Sequence, residues 1–311
     1  MVGLAPAQLG WLFAWGAYSV WGLVPLYFKA VAHVSPLEVV AHRIVWSFAL
    51  LAVLVTLMAR WRRLVVTLRG PGTAQALALS ALLVSMNWFT FIYAVSSNQV
   101  SQASLGYFIN PLVTVALGML FLGERLRRLQ LISLGLAVAG VVVLTVAQGG
   151  PPIIALTLAL SFGFYGLIRK RLAVGAVDGL LIETAYMVPV AAALFGVFAA
   201  SGTLSFGRLD PTTDVLLVLA AVITSVPLLL FAGAAQRIPL SALGFLQYLA
   251  PTLHLLLAVF VFSEVVEGAR LVGFVIIWVG LGLFIVDALR ATGRTAGAVT
   301  AATGTSATPR R

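Results

Sequence analysis

Two stretches of this 311-residue chain match each other at a spacing of 140 residues. Residues 101–124 read SQASLGYFINPLVTVALGMLFLGE, and residues 241–264 read SALGFLQYLAPTLHLLLAVFVFSE. The match aligns Pro111 with Pro251 and Glu124 with Glu264, so that a glutamate follows a proline by thirteen residues in both halves. Shared leucines alone would mean little in apolar helices, but this pairing indicates an internal repeat.

The composition around the repeat excludes a soluble protein. Hydrophobic residues make up 61% of the chain and charged residues only 9%, against about a quarter charged in ordinary globular proteins. So few charges cannot cover the surface of a soluble domain, whereas a bilayer demands this composition. The chain contains no cysteine, and its three histidines lack metal-motif spacing. Disulfides and thiolate chemistry are therefore excluded, and we expect neither a metal nor another cofactor.

Ten stretches are long and apolar enough to cross a bilayer, which takes about 20 residues of helix. The last residues, 291–311, are rich in alanine, threonine and glycine and are predicted to form a disordered tail. The fold class predicted is therefore an all-α integral membrane protein, with one five-helix repeat in residues 1–148 and a second in 149–290. The predicted spans are 9–28, 36–59, 75–95, 101–122, 129–147, 152–168, 179–200, 214–235, 240–262 and 269–288.

Basic residues lie mostly on one side of the predicted membrane. Fifteen of the nineteen fall after the even-numbered spans, in loops such as the one that begins with Arg60 and ends with Arg69. By the positive-inside rule, both termini are predicted to be cytoplasmic. The net charge of +10 then reflects topology and contact with anionic lipid, and nucleic acid is not an expected partner.

An odd number of spans in each half means that the two repeats are inverted relative to each other. Inverted repeats are typical of secondary transporters, which place the substrate near the membrane midplane between the halves. Channels also contain inverted repeats, so the pattern favours transport more strongly than any one mechanism.

Several short motifs together resemble the RarD group of EamA-type permeases, in the drug/metabolite transporter superfamily. They are SLGYFINPL at 104–112, FLGER at 121–125, PPIIAL at 151–156, LIET at 181–184 and LGFLQY at 243–248. The resemblance covers about residues 8–290. It implies ten helices, cytoplasmic termini, two EamA repeats and an inner-membrane location. The group is labelled a chloramphenicol-sensitivity protein, and the resemblance defines no physiological substrate.

Arg43 and His42 lie about seven residues into the second span. A charge inside the bilayer is costly and normally faces a cavity or a partner, so we assign both residues to the substrate site. Snorkelling of Arg43 to the headgroups is the alternative. For His42 the alternative is a local pair with Glu38, one helical turn earlier.

Two further titratable groups lie inside later spans. Glu183 approaches the register of Arg43 at the repeat spacing, and an intramembrane carboxylate is a candidate proton carrier. A structural hydrogen bond to Tyr186 or to a neighbouring backbone group is its alternative role. His254 lies nearest the midplane and is assigned to the substrate cavity, with a packing role as the alternative.

Pro111 and Pro251 are predicted hinges, because proline removes a backbone donor within a helix. Polar groups beside such bends can line a cavity, so Asn110, Gln247 and Tyr248 join the candidate site. The alternative is a kink that only shapes the packing.

The remaining candidates come from the third and fourth spans and from the segments that lead into the fifth and tenth spans, which contain Glu124 and Glu264. Asn87 and Trp88 occupy the middle of the third span, where a buried amide needs a partner. Tyr107 belongs to the 104–112 motif. Glu124 and Glu264 are predicted to be structural, because a carboxylate is favourable at a helix N-terminus.

The function predicted from these observations is secondary transport of a small metabolite or amphipathic drug-like molecule by alternating access. The alternative is a channel or facilitator without gradient coupling. A membrane enzyme would need convergent acids and a nucleophile, so no catalytic residue is assigned, and no Walker sequence indicates direct use of ATP. Arg43 with Glu183 would suit a zwitterion. The expected partners are membrane lipid, a small-molecule substrate, protons and a second copy in a homodimer.

Overall fold

The computed structural model of the chain describes residues 5–97, 99–148, 151–263 and 268–304. All regular secondary structure in these residues is helical, and ten segments are long and apolar enough to cross a membrane. The ten spans predicted from the sequence are confirmed, with ends that differ by a few residues. The chain is an all-α integral membrane protein with two inverted five-helix repeats.

The described residues contain twelve helices rather than ten, because a short helix follows the second span and the ninth span is divided into two helices. Their bounds are α1 Pro6–Ala30, α2 Pro36–Leu57, α3 Trp61–Leu68, α4 Thr73–Ser96, α5 Val100–Leu122, α6 Arg128–Gln148, α7 Ile153–Arg171, α8 Ala176–Ala200, α9 Pro211–Ala235, α10 Leu240–Leu246, α11 Leu249–Phe260 and α12 Gly268–Gly304.

The ninth span is interrupted at Gln247 and Tyr248, between α10 and α11. Pro251 has no backbone N–H, so the carbonyl of Gln247 accepts the N–H of Ala250, three residues later, at 3.2 Å instead of a partner four residues later. In contrast, α5 continues past Pro111 from Val100 to Leu122. The predicted hinge at Pro251 therefore coincides with a break in the helix, and the one at Pro111 does not.

The first of two compact units contains α1–α5 and α7–α11. In the two repeats, α1 corresponds to α7, α2 to α8, α4 to α9, and α5 to the divided span of α10 and α11. The contacts follow this correspondence: α5 packs on α7 as α11 packs on α1, and α4 packs on α7 as α9 packs on α1. Likewise, α2 packs on α9 as α8 packs on α4. In the pairs α2–α8 and α5–α10, each helix packs on its own counterpart. Two inverted copies of one five-helix unit produce this pattern.

Close glycine contacts in this unit follow the same symmetry. A side chain at Gly22 of α1 would overlap Leu253 of α11, and one at Gly163 of α7 would overlap Val113 of α5. Val113 and Leu253 are 140 residues apart, so the two contacts are equivalent. Glycine at these positions allows the helix backbones to approach closely.

The second compact unit contains α6 and α12. Gly140 of α6 lies against the backbone of Gly273, and Gly280 of α12 lies against the backbone of Ser133. These two contacts are also related by the 140-residue spacing. Small residues thus allow the two backbones of this unit to approach closely, as is typical of membrane helices.

The end of α12 differs from the sequence-based prediction. α12 continues to Gly304, beyond residue 288 where the predicted span ends, and so includes part of the segment predicted as a disordered tail. Alanine recurs in residues 291–304 and has the highest helix propensity, which favours this extension. Residues 305–311 lie outside the described residues.

Candidate functional site

We call the side of the membrane that carries the fifteen basic residues after the even-numbered spans the basic side. The other side is called the opposite side. α2 begins at the opposite side, and Arg43 is its eighth residue. Its Nε donates a hydrogen bond to Oγ1 of Thr224 on α9, at 2.9 Å. The guanidinium carbon lies 4.4 Å from the ring centroid of Trp88 on α4. Two helices besides α2 therefore fix the position of this cation.

A series of aromatic contacts connects Arg43 to His254. The guanidinium carbon is 5.7 Å from the ring centroid of Phe28, which lies 6.0 Å from that of Phe91. The Phe91 ring is 6.3 Å from Tyr107, which meets His254 edge to face at 5.7 Å. These side chains are half-buried. We call Arg43, Trp88, Phe28, Phe91, Tyr107 and His254 the Arg43 site.

His254 is fixed by a backbone carbonyl. Its Nε2 lies 3.0 Å from the carbonyl oxygen of Trp21 on α1. A carbonyl only accepts, so Nε2 carries the hydrogen of this bond, and Nδ1 can accept one when the ring is neutral. The imidazole can therefore offer a polar atom at the end of the aromatic series.

His42 contacts different residues from its neighbour Arg43. Its Nδ1 accepts a hydrogen bond from Nε1 of Trp46 at 3.0 Å, and its ring lies 4.7 Å from that of Phe195 and 4.9 Å from that of Phe206. Nε2 is 3.8 Å from Oε1 of Glu38, so the local pair considered from the sequence is present. The structure does not bring His42 into the Arg43 site, and its role in transport stays a prediction.

Glu38 connects α2 to the loop that precedes α9. Its carboxylate is fully buried and accepts hydrogen bonds from the backbone N–H groups of Ser205 at 2.8 Å and Phe206 at 3.1 Å. A buried carboxylate is tolerated where backbone donors compensate for its lost hydration. Glu38 thus holds this loop against the beginning of α2.

Glu183 belongs to a cluster of buried polar side chains in the half of the membrane nearer the basic side. Its Oε1 accepts a hydrogen bond from Oγ of Ser80 at 2.6 Å and lies 3.5 Å from Nη1 of Arg169. Glu183 and Ser80 are at most 1% exposed, and Arg169 is fully buried. The predicted sixth span ends at residue 168, but α7 continues to Arg171 and therefore includes Arg169. We call Glu183, Ser80 and Arg169 the Glu183 cluster.

Glu183 forms a structural hydrogen bond, but with Ser80 and not with Tyr186 or a neighbouring backbone group. Tyr186 instead donates its hydroxyl to the carbonyl of Ala74 at 3.4 Å. Glu183 lies eight residues along α8 from the basic side, and Arg43 eight residues along α2 from the opposite side. The structure therefore does not bring these two charges together, and proton transfer by Glu183 stays a prediction.

Asp178 forms a second ionic contact at the basic side. Its Oδ2 lies 2.7 Å from Nη2 of Arg60 and 3.7 Å from Nε of Arg63. The Asp178 side chain is 1% exposed, whereas Arg63 is largely exposed. The carboxylate therefore ties α8 to the segment that follows α2.

Asn87 contacts α7 rather than the Arg43 site. Its amide donates to the carbonyl of Leu158 at 2.9 Å and to Oγ of Ser161 at 3.1 Å. A buried amide requires such partners, which is what the sequence led us to expect. The bonds connect α4 to α7, and contact with substrate stays a prediction.

The polar residues beside the two prolines lie between α5 and the divided ninth span. Thr114 Oγ1 lies 3.3 Å from Oδ1 of Asn110 and 3.4 Å from Oε1 of Gln247. Tyr248 donates its hydroxyl to the carbonyl of Phe108 at 3.3 Å. The side chains of Asn110, Gln247 and Tyr248 are buried. Their contacts hold two helices together, and a role in cavity lining stays a prediction.

Glu124 is located at a helix N-terminus, but at that of α10. Its two carboxylate oxygens accept the backbone N–H groups of Leu240 at 2.7 Å and Ser241 at 2.8 Å. The carboxylate thus supplies acceptors for two backbone N–H groups that have no partner within the helix. Its negative charge lies at the positive end of the helix dipole. From the sequence we expected Glu124 at the N-terminus of the fifth span, α6, instead. Glu264, its repeat partner, lies outside the described residues.

Several residues of these sites were not predicted from the sequence. Phe28, Phe91 and Thr224 complete the surroundings of Arg43, and a single aromatic or hydroxyl side chain in an apolar span gives no signal of its position. Arg169 could have been found, because a basic residue at the end of a span can reach a carboxylate on the next helix.

Comparisons with known proteins agree with this architecture. A model of the EamA-like transporter family matches residues 8–146. A Vibrio cholerae protein named "Uncharacterized transporter" is 49% identical over 286 residues, covering 92% of this chain and 94% of that protein. "Protein RarD" of Escherichia coli is 46% identical over 286 residues, covering 92% and 97%.

Two further matches extend the comparison. "Protein RarD" of Salmonella typhi is 48% identical over 280 residues, covering 90% of this chain and 95% of that protein. A solved crystal structure with 20% identity covers 89% of this chain and 97% of its own, with a TM-score of 0.68, and so supports the fold alone. From these identities over nearly the whole length, the chain belongs to the RarD group of the EamA-like transporter family.

Proposed function

We propose that this membrane transporter is a secondary transporter that moves a small metabolite or an amphipathic drug-like molecule by alternating access. The observation that carries the proposal is the different accessibility of two equivalent charges. Arg43 is half-buried with no acidic partner among the described residues, whereas Glu183 is sealed by Arg169 and Ser80. A substrate could reach the Arg43 site from the opposite side while the basic side is closed.

The inverted repeat supports the reverse state as well. If the two halves exchange conformations, the Glu183 cluster opens to the basic side as the Arg43 site closes. In such a mechanism each state has one accessible end. A channel would instead have both ends accessible at once.

Cysteine labelling separates these mechanisms, because the chain has no cysteine of its own. Phe91→Cys reports on the half-buried Arg43 site, and Ser80→Cys reports on the Glu183 cluster. With an impermeant thiol reagent on both sides of transport-active proteoliposomes, we expect conditions that raise labelling at one position to lower it at the other. Simultaneous labelling of both positions in a double variant held in one state would support the channel.

Transport itself is tested by counterflow in liposomes over metabolites and amphenicols, with and without a pH gradient. Counterflow requires exchange of bound substrate and therefore distinguishes a carrier from a leak. If Glu183 carries a proton, Glu183→Gln should lose the response to the pH gradient while substrate exchange continues.

We also propose that the protein lies in the inner membrane with both termini in the cytoplasm. The support is the excess of basic residues on one side, fifteen against three on the other. A cysteine at Arg69 should then react with an impermeant reagent only after the cells are opened, and labelling in intact cells would contradict the orientation.

A further inference from the structure

The Arg43 guanidinium keeps hydrogen-bond donors free for a ligand. Its Nε is used by Thr224, while neither Nη group is among the buried unpartnered atoms of the described residues. Both Nη groups thus remain accessible. An arginine with a fixed Nε and two parallel terminal donors can bind a carboxylate through both oxygens.

Arg43 also differs from Arg169 in its charge balance. Arg169 is paired with Glu183, whereas no ion pair among the described residues includes Arg43. A cation within a membrane-spanning helix is costly without a counter-charge. The aromatic faces of Trp88 and Phe28 offset only part of this cost, because cation–π contacts are weaker than ion pairs. The site therefore favours a ligand that supplies one negative charge.

The aromatic side chains of the Arg43 site indicate which kind of molecule carries the anion. Phe28, Phe91 and Tyr107 present rings with centroids 6.0 to 6.3 Å apart between neighbours. Aromatic rings at such spacing contact flat apolar groups by stacking or edge-to-face packing. A ligand with a carboxylate on Arg43 would place its apolar body along these rings.

We propose that the Arg43 site binds an organic monoanion, a carboxylate on a flat apolar body, and discriminates against amino acid zwitterions. This inference rests on the proposed transport function. A zwitterion would need an acceptor for its ammonium group, and the carboxylate of Glu183 is bonded to Ser80 and Arg169 instead. The structure thus gives no support to the combined use of Arg43 and Glu183 that the sequence suggested.

A series of compounds on one skeleton tests the proposal. Hydrocinnamate, phenylalanine, 3-phenylpropanamide and phenethylamine share a phenyl ring on a short chain but are an anion, a zwitterion, a neutral amide and a cation at pH 7. Binding is measured by thermal stabilisation of the purified full-length protein, and transport by counterflow in liposomes. We expect hydrocinnamate to bind at least tenfold more tightly than the other three.

Substitutions of Arg43 test whether this residue is responsible for the preference for hydrocinnamate. Arg43→Gln should lower hydrocinnamate binding at least tenfold, and Arg43→Lys should retain part of it, because lysine keeps the charge but not the paired donors. Arg208→Gln is the matched control, since this exposed arginine lies on the same side and bonds to the carbonyl of Gly202. It should bind hydrocinnamate as the parent does.

Each outcome bears on one claim. Equal binding of phenylalanine and hydrocinnamate, or unchanged hydrocinnamate binding by Arg43→Gln, would overturn the substrate class. Counterflow of an amphenicol without any binding of hydrocinnamate would overturn the substrate class but keep the transporter. Binding of hydrocinnamate that depends on Arg43, without counterflow of any compound, would support the anion site and contradict the transport function.

Discussion

α2 and α8 begin at different sides of the membrane and carry charges at the same two positions. The third residue of each helix is acidic, Glu38 in α2 and Asp178 in α8, and the eighth is charged, Arg43 in α2 and Glu183 in α8. In both helices the eighth residue bonds to a hydroxyl of a helix from the other repeat. The repeat thus places two charged sites in equivalent positions.

The partners of these charges differ between the two sites. Glu183 has an opposite charge within 3.5 Å and is 1% exposed, whereas Arg43 is half-buried among aromatic rings. Glu38 binds backbone N–H groups, and Asp178 binds arginine side chains. One site is therefore closed by the protein's own ion pair, and the other has a charge available for a ligand.

The largest effect is expected from removing one charge of the closed site. Glu183→Gln leaves Arg169 fully buried without a counter-charge, and breaking a buried pair in this way costs about 3–5 kcal/mol. We expect a matching loss of stability, measured as the free energy of unfolding in detergent.

The double variant Arg169→Met, Glu183→Gln is the control for this prediction. It removes both charges at similar volume, so most of the lost stability should return. If Glu183→Gln is as stable as the parent, the ion pair does not close the basic side.

The same type of substitution at the open site should affect transport and not stability. Arg43→Gln removes no ion pair, and removing an unpaired cation from the membrane offsets the lost hydrogen bond to Thr224, so the free energy of unfolding should change by less than about 1 kcal/mol. Substrate exchange should fall about 10- to 100-fold, since a charged hydrogen bond contributes about 1.5–3 kcal/mol. Arg43→Lys should retain part of the activity. Exchange at the parental rate in Arg43→Gln would mean that Arg43 only snorkels.

A smaller effect is expected at the basic side from Asp178→Asn. Arg60 is 20% exposed, so solvent screens its contact with the buried Asp178, and we expect loss of this contact to cost about 1 kcal/mol. Its loss should raise the labelling of Ser80→Cys from the basic side about fivefold. Glu38→Gln is the matched control on the opposite side and should leave this labelling unchanged. Unchanged labelling in Asp178→Asn would show that Asp178 does not restrict access.

The sequence predicted the spans and the repeat because both depend on patterns that extend over many residues. Hydrophobic length determines a span, and Pro111 with Pro251 shows the repeat directly. It also identified Arg43 and Glu183, since charges inside an apolar span are conspicuous. It could not show that Glu183 contacts Arg169, or that Glu124 binds the N-terminus of α10, because these contacts depend on how distant helices pack.

The smallest effect is expected at the N-termini of α9 and α4, the helices that carry Thr224 and Ser80. α9 begins after Asp210, whose carboxylate accepts the Thr213 hydroxyl at 2.6 Å and the Thr213 N–H at 2.9 Å. α4 begins after Gly72, which has a positive φ of 71° and no side chain to cap the helix. A pH-dependent contribution is therefore expected at the beginning of α9 and not at that of α4.

The bonds from Thr213 hold the pKa of Asp210 below its ordinary value. A carboxylate with a lowered folded-state pKa stabilises the protein above its unfolded pKa of about 3.9, and this contribution disappears as the pH falls through the folded pKa. Asp210→Ala should therefore unfold at a lower temperature than the parent at pH 7, and the difference should be smaller at about pH 2. Asp210→Asn caps the helix without titrating, so it should unfold above Asp210→Ala at both pH values. If the parent and Asp210→Ala differ in unfolding temperature by the same amount at both pH values, ionisation of Asp210 does not contribute to stability.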